Sequence, residues 1–138
     1  MEQKYADIIK LGTSALSAGK ATLSTTGLSI GTRSVTAVYN GDGNFNGSTS
    51  PAASVVVSQS STTVTLTSSA TSAVFGQPIT FTAMVNPVAP GSGAPSGTVT
   101  FKDGTATIGT ATLSSGQATF ISSSLSVASH TITAVYAG

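Results

Sequence analysis

The chain has 138 residues, room for one domain or two small ones. Five Lys or Arg stand against four Asp or Glu, a formal net charge of +1, so no basic patch is dense enough to follow a phosphate backbone and no nucleic-acid partner is expected. The absence of Cys removes a disulfide framework and a thiolate metal site, and no stretch approaches the roughly 18 apolar residues that membrane insertion needs.

Residues 1–10 differ from everything after them. They carry Glu2, Lys4, Asp7 and Lys10, and they lack the long apolar core of a signal peptide. Tyr5, Ile8, Ile9 and Leu11 fit one face of a short helix or part of a strand; the pattern does not choose between them. About a third of the chain is Ser or Thr. From Leu11 onward these hydroxyl residues alternate with Val, Ile, Leu, Phe and Ala, which is the pattern of half-buried strands with a polar outer face rather than of a disordered stalk.

Short runs around Ala15, Leu16 and Leu23 are punctuated by Gly12, Gly19, Gly27 and Gly31. Residues 34–39 read as a strand, with Val35, Ala37 and Tyr39 on one face. Residues 40–48 are turn chemistry, rich in Gly, Asn and Asp. Ser54-Val55-Val56-Val57 suits another strand, and residues 58–62 read as a joint. Further strands are expected at 63–67, 79–85, 98–101, 108–113, 118–121 and 130–136. Lys102-Asp103-Gly104 reads as a hairpin turn that backbone geometry explains by itself. Turn signals about every ten residues, with no convincing helix, indicate an all-β antiparallel sandwich.

The chain also repeats. Gly12, Leu16, Gly19, Ala21, Leu28, Ala37, Tyr39 and Gly41 align with Gly109, Leu113, Gly116, Ala118, Leu125, Ala134, Tyr136 and Gly138 at one constant offset. In the same register Arg33 falls opposite His130 and Leu23 opposite Phe120. The organisation expected is a non-repeat segment over residues 1–10, the C-terminal half of one repeat over 11–60, and a second repeat over 61–138 that lacks its last strand. The tandem repeat is thus cut out of phase.

Gly76-Gln77-Pro78-Ile79-Thr80-Phe81-Thr82-Ala83, Pro95-Ser96-Gly97-Thr98-Val99-Thr100-Phe101-Lys102-Asp103-Gly104, Ile108-Gly109-Thr110-Ala111-Thr112-Leu113 and His130-Thr131-Ile132-Thr133-Ala134-Val135-Tyr136 closely resemble bacterial immunoglobulin-like repeat domains. Tyr39-Asn40-Gly41-Asp42-Gly43-Asn44-Phe45, followed by Ser48-Thr49-Ser50, resembles the usual close of such a repeat. The resemblance covers residues 11–138. It implies an immunoglobulin-like β-sandwich from a bacterial surface or secreted protein, serving as a spacer, stalk or adhesive module, with neighbouring repeats or other copies of itself as partners. No universal catalytic or binding residue comes with it. The location implied is extracellular or at the cell surface, with the export signal outside this chain.

Catalysis has little material. Arg33 takes the place of the lone His130 in the other repeat, which does not suit a required base, and no Gly-x-Ser-x-Gly elbow occurs. Asp42, Asn44 and Asn46, with Gly47, fit the opening of a calcium loop. Ala53 stands where the closing Glu would be, so one carboxylate would hold calcium weakly at best. The plainer expectation is a Gly/Asn turn in which Phe45 plugs the end of the sandwich, with no cofactor. Asn46-Gly47-Ser48 fits a glycosylation sequon, which carries no weight if the source is bacterial, as the resemblance implies. Tyr39 and Tyr136 are expected as core rings with hydroxyls at the rim rather than as a sugar platform. The runner-up function is self-assembly, with residues 51–58 of one copy filling the missing-strand edge of another.

Overall fold

The computed structural model describes residues 9–138. It is all β-strand and turn, in two compact units, Met1–Gln59 and Ser60–Gly138.

The second unit is a sandwich of two three-stranded antiparallel sheets. One sheet has the order β5 (Thr62–Ser68), β6 (Ile79–Pro87), β9 (Gln117–Ser122). The other has the order β10 (Ile132–Tyr136), β7 (Thr98–Asp103), β8 (Ala106–Thr112). Each strand follows the two-residue period of its sequence. Phe81, Ala83 and Val85 of β6 face Val99 and Phe101 of β7, with Ala118 of β9 and Leu113 completing the buried core. Thr65, Thr67 and Thr119 take the opposite, exposed side. Phe101 is fully buried and stacks on Phe120 at 5.4 Å between ring centroids, with 27° between the planes. Gly109 makes that stack possible, because a Cβ there would lie 2.2 Å from the Phe120 ring.

The first unit contains β1 (Gly31–Val35), β2 (Val38–Gly41), β3 (Asn46–Thr49) and β4 (Ala53–Val57). They form two antiparallel pairs, β2 with β3 and β1 with β4. Together these make one long hairpin, interrupted at residues 36–37. There Ser50 N–H donates to the Ala37 carbonyl (2.9 Å) and Ala37 N–H donates to Ser50 Oγ (3.0 Å). Pro51 has no N–H to offer the ladder, and the hydroxyl of Ser50 bridges the gap. None of the described residues of this unit is buried.

Three expectations need correction. Residues 34–39 do not form one strand, because the pairing breaks at Thr36 and Ala37. Part of the segment read as turn chemistry is strand β3, which the close approach of Gly47 to the Tyr39 carbonyl allows. Residues 11–30 hold only the isolated bridge Ser17–Lys20 instead of strands. Their counterparts in the second unit, β8 and β9, are ordered by pairing with β7 and β6. At the repeat offset the counterpart of β6 falls before Met1 and that of β7 on residues 1–6, outside the described residues. The helix-or-strand alternative for residues 1–10 falls almost wholly outside them as well.

Candidate functional site

Two polar clusters stand out, one in each unit. The first is the hairpin turn between β2 and β3. Gly41 takes a positive φ of 86°, and a Cβ on it would meet the Phe45 carbonyl at 2.6 Å. The turn closes with Asp42 N–H donating to the Phe45 carbonyl at 2.9 Å. The Asp42 carboxylate then holds the loop from inside. Its Oδ1 accepts the N–H groups of Asn44 (2.8 Å) and Phe45 (2.9 Å), and its Oδ2 accepts the Tyr39 hydroxyl (2.9 Å). The Asn44 amide and then the Tyr39 hydroxyl favour the charged form and lower the pKa of Asp42; the same carboxylate raises the pKa of Tyr39.

Asp42, Asn44 and Asn46 are therefore close in sequence but differently employed. The Asp42 oxygens already serve three donors, Asn44 contributes its backbone N–H, and Asn46 opens β3 opposite Gly41. A cation would have to compete with those donors for the one carboxylate. Among the described residues no three His, Cys, Asp or Glu side chains come together. Phe45 does not plug the sandwich: it is 67% exposed, because the described residues of this unit form no closed core for it to enter. Its neighbour in the turn, Tyr39, is half-buried. In the second unit Tyr136 packs against the core and donates its hydroxyl to the Ser96 carbonyl (2.8 Å), a ring inside with its hydroxyl at the rim.

The second cluster joins residues that sequence reasoning kept apart. Asp103 ends β7, and His130 lies just before β10. Asp103 Oδ2 and His130 Nδ1 are 2.5 Å apart, while Asp103 Oδ1 accepts Thr131 N–H at 3.2 Å. Gly104 N–H donates to the Thr131 carbonyl at 3.0 Å, so β7 continues past the expected turn start at Lys102 and turns at Gly104. On the far side of the ring, Nε2 lies 2.9 Å from the Ser126 carbonyl oxygen and 3.5 Å from Ser126 Oγ. The Ser126 carbonyl first, then the Asp103 carboxylate, push the His130 pKa up; partial burial opposes them.

The roster of Asp, His and Ser invites a nucleophilic reading, but the geometry opposes it. A general base must present an unprotonated nitrogen to the hydroxyl it activates. Nε2 points its nearest contact at a carbonyl oxygen, which only a protonated nitrogen satisfies. The sequence did hold a sign of this cluster: the offset that pairs His130 with Arg33 puts a cation at the same phase of both repeats.

The edges of the strands complete the geometry. The Ala37 carbonyl, counterpart of Ala134, bonds toward the β3–β4 side. The Thr131 carbonyl bonds toward the β7–β8 turn. Carbonyls an odd number of positions apart point to opposite edges of a strand. The first unit thus pairs, through β3 and β4, the edge that in β10 has no strand beside it among the described residues.

No helix among the described residues is long and apolar enough to cross a membrane. Comparison with curated proteins and with solved structures returned no match. The family model described as bacterial Ig-like domain (group 3) matches twice, over residues 6–58 and 66–138. That double match, two sheets facing one core and the repeated strand-and-turn phase make this chain a tandem-repeat member of the bacterial Ig-like domain family.

Proposed function

We propose that the chain is a non-enzymatic spacer module of a bacterial surface or secreted protein, part of an array that extends the polypeptide and separates the elements at its ends. The observation that carries this reading is the internal use of the polar groups. Asp42, Tyr39, Asp103, His130 and Tyr136 all spend their hydrogen bonds on the fold's own backbone or on each other. Mechanical continuity comes from antiparallel ladders, and exposed Thr and Ser faces keep a nearly uncharged array in solution. Pulling the chain from its ends tests the reading. A discrete unfolding event from the second unit, with β6 and β7 resisting last, supports a load-bearing spacer. Extension with no resisting step contradicts it.

The open edge of β10 favours a second reading, strand exchange between copies. Residues 51–58 are the expected occupant: β4 lies beside β1 in the first unit, and the repeat register carries that pairing to residues 128–132, which lead into β10. Concentration-dependent oligomers that a Pro at Val56 abolishes would support it; a monodisperse monomer in light scattering sinks it. Calcium binding at Asp42, Asn44 and Asn46 is separable from both. Absence of a melting shift at millimolar calcium removes it.

A further inference from the structure

The second unit carries only three charged side chains, Lys102, Asp103 and His130. All three gather where β7 ends and β10 begins. Lys102 sits on β7 opposite Thr133, whereas Asp103 and His130 meet directly. The imidazole links two otherwise separate pieces of chain: the β7–β8 turn, through Asp103, and the connection from β9 to β10, through the Ser126 carbonyl. A carboxylate and a carbonyl can only accept, so the ring satisfies both only when both its nitrogens carry protons.

The first unit supplies an internal control. Arg33, at the phase of His130, donates from Nε to the Ser29 carbonyl at 2.8 Å and from an Nη to the Ile30 carbonyl. Ser29 is the repeat counterpart of Ser126. Both repeats therefore seat a cation on the same carbonyl four residues upstream. Arg holds its charge across the whole physiological range, whereas His does not.

We propose that His130 is a pH-dependent latch, which protonated ties the β9–β10 connection to the β7–β8 turn and deprotonated releases that connection at Ser126, while Arg33 keeps the equivalent point of the first unit permanently shut. The neutral ring keeps Nδ1–H on Asp103, the stronger charge-assisted bond, and turns a lone pair of Nε2 toward the Ser126 oxygen. The groups facing the ring are Asp103 from β7 and Ser126 from the connection, and Ser126 carries no titratable group. The direction follows from the raised pKa of His130. Its contribution is complete below the ordinary histidine value of about 6.5 and is lost as pH rises through the raised folded value. The unit is tighter in mild acid than in mild alkali.

The test follows the full chain from about pH 5.5 to about pH 8.5, reading the His130 ring titration by NMR and amide exchange of Val127, Ala128, Ser129 and Thr131. The same exchange measured in His130→Arg and His130→Gln at each pH removes the intrinsic pH effect on exchange. The wild type should titrate above the ordinary histidine value and lose protection several-fold across the range. His130→Arg should stay protected throughout, as a copy of the first unit's arrangement, and His130→Gln should stay loose throughout. A ring titrating at or below the ordinary value, or an equal loss of protection in His130→Arg, overturns the latch. Should His130→Gln fail to fold, the wild type against His130→Arg decides alone.

Discussion

The two units share a repeat and differ in what the repeat accomplishes. Gly109 and Phe120 in the second unit correspond to Gly12 and Leu23 in the first, and the same close approach recurs. A Cβ on Gly12 would lie 2.9 Å from the Leu23 side chain. Yet Phe120 stacks on the buried Phe101, while Leu23 is 48% exposed. Local geometry therefore repeats without the core repeating. Burial needs a second sheet opposite the first, and the described part of the first unit offers no counterpart of β6 or β7.

That contrast can be broken at several points, the largest first. Amides of β6 and β7 should exchange only on global unfolding, and those of β1 to β4 through local opening, faster by orders of magnitude. Equal protection in both units would mean that something else covers the first unit, and would favour assembly between copies. Phe101→Ala should cost the second unit about 3–5 kcal/mol in denaturant unfolding, whereas Leu23→Ala should stay within about 0.5 kcal/mol. Gly109→Ala should cost about 1–3 kcal/mol, because the rigid Phe120 ring cannot yield. Gly12→Ala meets only a flexible Leu23 side chain, so its cost comes from the backbone φ of 159° rather than from packing and should be smaller than that of Gly109→Ala in the same assay.

Tyr136→Phe frees the Ser96 carbonyl and should cost about 1 kcal/mol. Tyr39→Phe should leave global stability almost unchanged. The smallest effect concerns Asp42, whose pKa is lowered in the fold. Its stabilisation of the β2–β3 turn is present above the ordinary carboxylate value of about 3.9 and lost as pH falls through the lower folded value. Asn44 and Phe45 amides should lose protection over that acid range, and Asp42→Ala should show the loss at every pH.

Much of the second unit was legible. Thr63-Val64-Thr65-Leu66-Thr67 and Ile79-Thr80-Phe81-Thr82-Ala83-Met84-Val85 alternate so regularly that their strands and inward faces follow from spacing. The Asp42 turn was legible as a turn, because Asx chemistry acts on neighbours two and three positions away. Its use of both carboxylate oxygens was not. The Asp103–His130 pair escaped because its members lie 27 positions apart on different elements, and Asp103 already had a sufficient local explanation in Asp-Gly. Residues 11–30 misled in the other direction: their β pattern is real, but a strand without a partner leaves its backbone groups to water.

The sequence by itself determined the strand period, the repeat and its phase, and through them the family. These follow from side-chain alternation and from glycines whose turn conformations are local properties. Tertiary structure decided which repeat closes a core, which edge of a strand is paired, and which proton-bearing ring meets which acceptors. Those outcomes depend on sheets facing one another and on residues far apart in the chain, and neither distance nor layering is written in a two-residue period.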